Sequence, residues 1–168
     1  MKELKVSDLK DNMFNAIGDE WMLVTAGTPE KFNMMTASWG GVGVLWAKPV
    51  AFIFIRPERY TYEFIENGDG VTLSFLGEEH KGIHSICGAR SGRDIDKVEA
   101  TGLKPFVTAG GNIGYEQARM VLECRKLYAD MIDPENFIDK SLVSRWYGGE
   151  HGNFHKMYVL EIEHVWVK

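Results

Sequence analysis

Three stretches of the chain combine residue types that suit the binding of a polar, planar molecule. Within an otherwise apolar run, residues 32–40 offer Asn33, Thr36, Ser38 and Trp39, with Ala37 between them. A second apolar run stops at Arg56 and is followed by Arg59, Tyr60 and Thr61. The third stretch gathers Arg90, Ser91, Arg93 and Lys97. Amide and hydroxyl groups can read the edge of a heterocycle, the rings of Trp39 and Tyr60 offer flat apolar faces, and guanidinium and ammonium groups attract an anion. The combination points to a flat, anionic cofactor. Strand packing accounts for Met34, Met35 and Trp39, but not for the polar residues that alternate with them. For the third stretch, a solvated basic loop and an anion site beside a helix N-terminus account for the residues equally well.

Other chemistries fit less well. His80 and His84, like His151 and His155, have metal-ligand spacing, but Lys81 and Gly152 stand where a zincin needs Glu, so packed or solvated histidines are the better reading and no metal site is assigned. Cys87 and Cys124 lie in apolar runs and read as small buried hydrophobes, not as a redox pair. Ser91 followed by Gly92 is too little for a hydrolase nucleophile elbow. Neither a dinucleotide-binding glycine fingerprint nor a phosphate loop is present. No catalytic acid or base stands out.

The elements that must position these residues are mostly strands. Apolar runs at 20–26, 33–39 and 50–55 predict strands, the last one central because it is rich in β-branched and aromatic residues. Gly40, Gly41 and Gly43 interrupt the pattern, marking either a turn or a close backbone approach, and residues 44–47 form a shorter apolar piece. Helical spacing predicts a helix over 61–67 ended by Gly68, a strand follows at 71–76, and a second helix spans 78–87 with Gly88 as its cap. A third short helix is predicted over 95–100, with Asp94 as N-cap and Gly102 as its stop. Residues 119–131 read as a long strand, with a helix as the competing reading. A polar connection anchored by Phe137, Ile138 and Leu142 then leads to a last strand at 157–167. This order predicts a mainly antiparallel β-barrel with short inserted helices, in one domain over residues 1–168.

Composition agrees. A chain of 168 residues can bury roughly 70% of its unfolded surface in one core. A net charge of -5 argues against a nucleic-acid footprint. No stretch approaches the ~20 apolar residues of a membrane span, and the N-terminus does not read as a signal peptide. Two cysteines without close spacing fit a reducing cytoplasm.

The ordered set of segments resembles a known family. Asn33, Met34, Met35, Thr36, Ala37, Ser38, Trp39 and Gly40, then Lys48 and Pro49, then Arg56, Pro57, Glu58, Arg59, Tyr60 and Thr61 are followed by Cys87, Gly88, Ser91 to Lys97, and Gly102 with Leu103. In order and spacing they are similar to the flavin reductase-like proteins that include the flavoredoxins. The resemblance implies an FMN-binding split β-barrel, a homodimer with FMN near the subunit interface, and electrons drawn from NADH, NADPH or a redox protein partner. It implies that Thr36, Ala37, Ser38 and Trp39 lie along the flavin ring and ribityl chain. Arg56, Arg59, Tyr60 and Thr61 would contact the ribityl-phosphate end, and Ser91 with Lys97 the phosphate. His155 matches a histidine that commonly precedes the final strand, although Gly152, Asn153 and Phe154 stand where the family often has an acidic residue. An electron carrier without NAD(P)H turnover and a barrel that has lost its cofactor are the competing readings.

Overall fold

The computed structural model describes residues 1–149 and 152–168, so His151 lies outside the described residues. In chain order the elements are β1 (Lys2–Leu4), α1 (Met13–Asn15), β2 (Met22–Thr28), β3 (Lys31–Ala37), β4 (Gly40–Leu45) and β5 (Lys48–Ile55). Then come α2 (Tyr60–Asn67), β6 (Gly70–Phe75), α3 (Lys81–Ala89), α4 (Lys97–Thr101), β7 (Pro105–Val107) and β8 (Ile113–Tyr115). The chain finishes with β9 (Met120–Met131), α5 (Ser141–Tyr147) and β10 (Lys156–Val167).

Eight strands form one antiparallel sheet in the order β3-β2-β6-β9-β10-β5-β4, with β1 paired to the far end of β10. The small hairpin β7-β8 stands apart. Register shifts between Val159 and Leu160 and between Ile162 and His164 bend β10 against β9, as bulges do. The sheet is a split barrel: it curls without closing, and β3 and β4 remain its two edges.

Both faces of the curled sheet are covered. Met22, Val24, Ile53, Leu73, Leu122 and Leu160 belong to the larger core. Leu23, Met34, Cys87, Tyr115 and Val121 form a second one, to which α3 and β8 contribute. Neighbouring residues of β2 and β9 thus face different cores. This is why β2 reads as a continuous apolar run and not as an alternation. The strand reading of 119–131 holds.

Four expectations are corrected. Gly88 lies inside α3, which runs on to Ala89 and is capped by Arg90, so it does not end the helix. Gly40, Gly41 and Gly43 lie within strand β4 and are not a turn. The close-approach reading applies at Gly40, where a Cβ would sit 2.5 Å from the Phe52 carbonyl oxygen on β5. The turn that joins β4 to β5 falls instead at Trp46 and Ala47, both with positive φ (52° and 57°), a hairpin conformation usually signalled by Asn-Gly. The third helix is shorter than predicted and its N-cap is Asp96, whose carboxylate accepts from the N–H groups of Val98 and Glu99, in place of Asp94. The polar connection contains α5, with Asp139 accepting the Ser141 N–H at 3.0 Å.

Leu160 is fully buried on β10 between β5 and β9. Leu160→Ala should lower the free energy of unfolding by about 2–5 kcal/mol in urea titrations. A loss below about 1 kcal/mol would contradict its place in the core.

Candidate functional site

Because β3 and β4 are opposite edges of one sheet and adjacent in sequence, the chain crosses the barrel's open seam within Ser38 and Trp39. A cleft of about 190 Å³ lies at this crossing, lined by Met35, Thr36, Ala37, Ser38, Trp39, Phe54, Arg56, Arg59 and His155. Seven residues proposed from the sequence therefore come together here: Thr36, Ala37, Ser38, Trp39, Arg56, Arg59 and His155.

Thr36, Arg56, Arg59 and His155 are each held from behind. The Thr36 hydroxyl donates to the His84 carbonyl at 2.7 Å and lies 3.3 Å from Nδ1 of the same residue. With its hydrogen so used, Thr36 faces a ligand as an acceptor. Burial, and secondarily Lys81, depresses the His84 pKa to about 4. Its Nε2 has no hydrogen-bond partner among the described residues.

Arg59 Nη2 donates to the carbonyls of Gly88 (3.1 Å) and Cys87 (3.4 Å), and burial lowers its pKa. These are the last carbonyls of α3, unpaired within the helix, so a cation is favoured there. Arg56 donates to the carbonyls of Trp146 (2.7 Å) and Asn153 (3.3 Å), with its guanidinium 5.1 Å from the centre of the Tyr147 ring.

His155 is buried, with Nδ1 2.8 Å from the Tyr147 hydroxyl and its ring centre 5.3 Å from that of Trp39. Burial first and Arg56 second depress its pKa to about 4, so the imidazole is neutral near pH 7. Trp39, 41% exposed, meets the edge of Trp146 at 5.0 Å.

The other proposed residues lie elsewhere. Asn33 Nδ2 donates to Thr61 Oγ1 at 2.7 Å, and both are buried, tying β3 to α2. Asn33, Tyr60 and Lys97 line a separate groove of about 480 Å³, which Lys31, Arg93 and Asp96 share. Tyr60 packs there between Phe64 and the Arg93 guanidinium. Lys97 is buried and its Nζ donates to the carbonyls of Met34 (2.8 Å) and Cys87 (3.0 Å), while burial lowers its pKa to about 8. Ser91 Oγ accepts the Arg93 N–H at 3.2 Å within its own loop. Arg93 pairs with Glu63 on α2, so the third stretch spends its polar groups on α2, α3, β3 and itself.

Two groups of site residues were not visible in the sequence. His84 was read as a packed or solvated histidine, and only the fold puts it behind Thr36. Trp146 and Tyr147 arrive on α5, for which Asp139 before an apolar-spaced segment was the available signal.

A family model, described as the flavin reductase like domain, matches residues 14–168. The chain belongs to this family. Membership supports a flavin-related function. Among solved structures, an FMN-binding protein from Thermus thermophilus aligns at 20% identity over 99% of this chain and 80% of its own, with a TM-score of 0.68. The flavoredoxin of Desulfovibrio vulgaris aligns at 20% identity over 88% of this chain and 69% of its own, TM-score 0.67. The NADH:FAD oxidoreductase SgcE6 of Streptomyces globisporus aligns at 15% identity over 89% and 74%, TM-score 0.64. At these identities the likeness establishes the shared fold. No curated protein matches the chain in sequence. Among the described residues no helix is long and apolar enough to cross a membrane, and no cluster of His, Cys, Asp or Glu could hold a metal ion.

The buried histidines of this flavin reductase-like domain make its stability pH-dependent. An unfolded imidazole takes up a proton near pH 6.5, whereas folded His84 does so only near 4. Between those values the unfolded chain binds more protons, so the contribution is complete above pH 6.5 and is lost as pH falls towards 4. Denaturant titrations at pH 7, 6, 5 and 4 should show His84→Gln losing stability less steeply than the unaltered chain, by up to about 1.4 kcal/mol per pH unit. Parallel slopes would exclude His84 as a source.

Proposed function

We propose that the chain is an FMN-binding oxidoreductase of the flavin reductase type, one domain that takes electrons from NADH, NADPH or a protein donor. The observation that carries this reading is the cleft at the open seam, where two guanidinium groups, an acceptor hydroxyl and the faces of Trp39 and His155 border one space. A bound flavin supplies the redox chemistry itself. The protein's tasks are then to orient the ring, hold the anionic tail and keep water from the reacting face.

Each lining residue suits one of these tasks. Thr36 accepts from a ring N–H, and Ala37 and Ser38 bring main-chain groups to the ring. Trp39 and His155 shield it. Arg59 is locked by the two α3 carbonyls at Nη2, which leaves Nη1 and Nε to meet negative charge without a further loss of side-chain freedom. Arg56 adds a second cation. The groove with Tyr60 and Lys97 mixes Lys31, Arg93 and Lys97 with Glu30, Asp94 and Asp96, so the phosphate end of the ligand is expected nearer to Arg56 and Arg59.

The cleft of one chain, about 190 Å³, is smaller than the roughly 300–1,000 Å³ of small-molecule sites. A second copy that completes the site accounts for the difference. Exposed Phe14, Val44 and Trp46 beside the edge strand β4 supply apolar surface for such a homodimer. Two buried free cysteines agree with a cytoplasmic protein.

A second reading is an electron carrier of the flavoredoxin kind, favoured by α5, which sets Trp146 against Trp39 at the cleft and so narrows the room for a second nucleotide. Steady NAD(P)H oxidation with FMN supports the reductase, whereas reduction solely by a protein donor supports the carrier.

The purified chain should bind FMN, read by its visible spectrum and by fluorescence quenching. Arg59→Ala should weaken binding by about 10- to 100-fold, as expected for lost charge-assisted hydrogen bonds. A chain that stays colourless and quenches no FMN fluorescence would sink the flavin reading.

A further inference from the structure

Helix α5 has no buried residue, so Tyr147 at its end is not there to fill a core. Its ring is nevertheless closely held. It stacks on Phe154 at 4.4 Å, meets Phe137 at 6.1 Å and lies under the Arg56 guanidinium. Its hydroxyl is 2.8 Å from Nδ1 of His155, the imidazole on the cleft wall.

The direction of that hydrogen bond follows from what surrounds it. A neutral imidazole has one protonated nitrogen and one bare nitrogen, and a phenol has one proton to give. Burial keeps His155 neutral and raises the Tyr147 pKa, so both groups are uncharged near pH 7. The charged groups acting on His155 are Arg56, which opposes its protonation, and Glu58, which favours it. Among the described residues, the other groups acting on the phenol are Arg56 and the main-chain N–H of His155, both of them donors. Neither can take the phenolic proton, whereas Nδ1 can.

We propose that Tyr147 is a positioning residue: it donates its hydroxyl proton to Nδ1 of His155, so that the imidazole carries its own proton on Nε2 and offers a donor to the cleft. The ligand half of this inference rests on the flavin reading above and sharpens it. With Nε2–H beside Arg56 and Arg59, the nitrogen groups on that wall are all donors. That wall therefore selects the acceptor atoms of a flavin, its ring carbonyl or phosphoryl oxygens, and an N–H edge is left to Thr36.

Two measurements test it. In the flavin-free, ¹⁵N-labelled chain, long-range proton–nitrogen spectra should show a bare, pyridine-type Nδ1 and a protonated Nε2 at His155. Tyr147→Phe should raise the His155 pKa, because a donor to the neutral ring is lost, while burial and Arg56 continue to hold it below the ordinary histidine value. It should also weaken FMN binding roughly three- to tenfold, the size of one neutral hydrogen bond. His155→Gln, whose side chain has no tautomer to fix, supplies the second background of a double-mutant cycle. Adding Tyr147→Phe to it should cost less than about twofold. A protonated Nδ1 in the flavin-free chain, or an equal loss from Tyr147→Phe in both backgrounds, overturns the proposal. If the unaltered chain binds no FMN, the flavin reading and the ligand half fall together, while the flavin-free spectra still decide the tautomer.

Discussion

The site depends on a sheet that stops short of closing. An edge strand leaves main-chain N–H and C=O groups without a ladder partner, and β3 and β4 present two such edges joined through Ser38 and Trp39. A closed barrel would have consumed those groups in pairing and filled the gap with side chains. Here the gap remains, and the polar residues at the end of β3 have something to face. Gly40 belongs to the same constraint, since the close approach of β4 to β5 leaves no room for a Cβ beside the Phe52 carbonyl.

The second determinant is the C-terminal end of α3. Its last carbonyls need donors, and Arg59 at the start of α2 and Lys97 at the start of α4 supply them, both reaching the Cys87 oxygen. One interaction therefore fixes the helix end and the loops that border the cleft and the groove. Lys97 is more deeply committed, because burial has already weakened its hold on a proton. Arg59 retains its charge and keeps further donors, which suits it better to a place beside an anion.

Much of the architecture was legible because the relevant signals are local. Continuous apolar runs identified β2 and β5, the alternation from Val71 to Leu76 identified β6, and Asn67 with Gly68 marked the end of α2. The resemblance to flavin reductase-like proteins rested on short segments whose order survives without knowledge of their contacts. The β4-β5 hairpin escaped because Trp46 and Ala47 adopt positive φ without the residues that usually announce it. Helix α5 escaped because its apolar residues are exposed, so no buried face imprinted a period on them. Asp96 and Asp94 are equivalent as cap candidates in sequence, and only the path of the chain into α4 chose between them.

The sequence by itself determined the strand-rich class, the family and the residues at the crossing from β3 to β4. It could do so because propensity, glycine placement and motif order are properties of neighbouring residues. Only the tertiary structure decided which proposed residues share a space. It gathered Thr36, Ala37, Ser38, Trp39, Arg56, Arg59 and His155 at the seam, turned Asn33 and Thr61 towards each other, and buried Lys97 against two carbonyls. It also brought His84 and Tyr147 behind the cleft from distant elements. Those outcomes depend on sheet order and on helix ends meeting loops far apart in the chain, and no local pattern encodes such contacts.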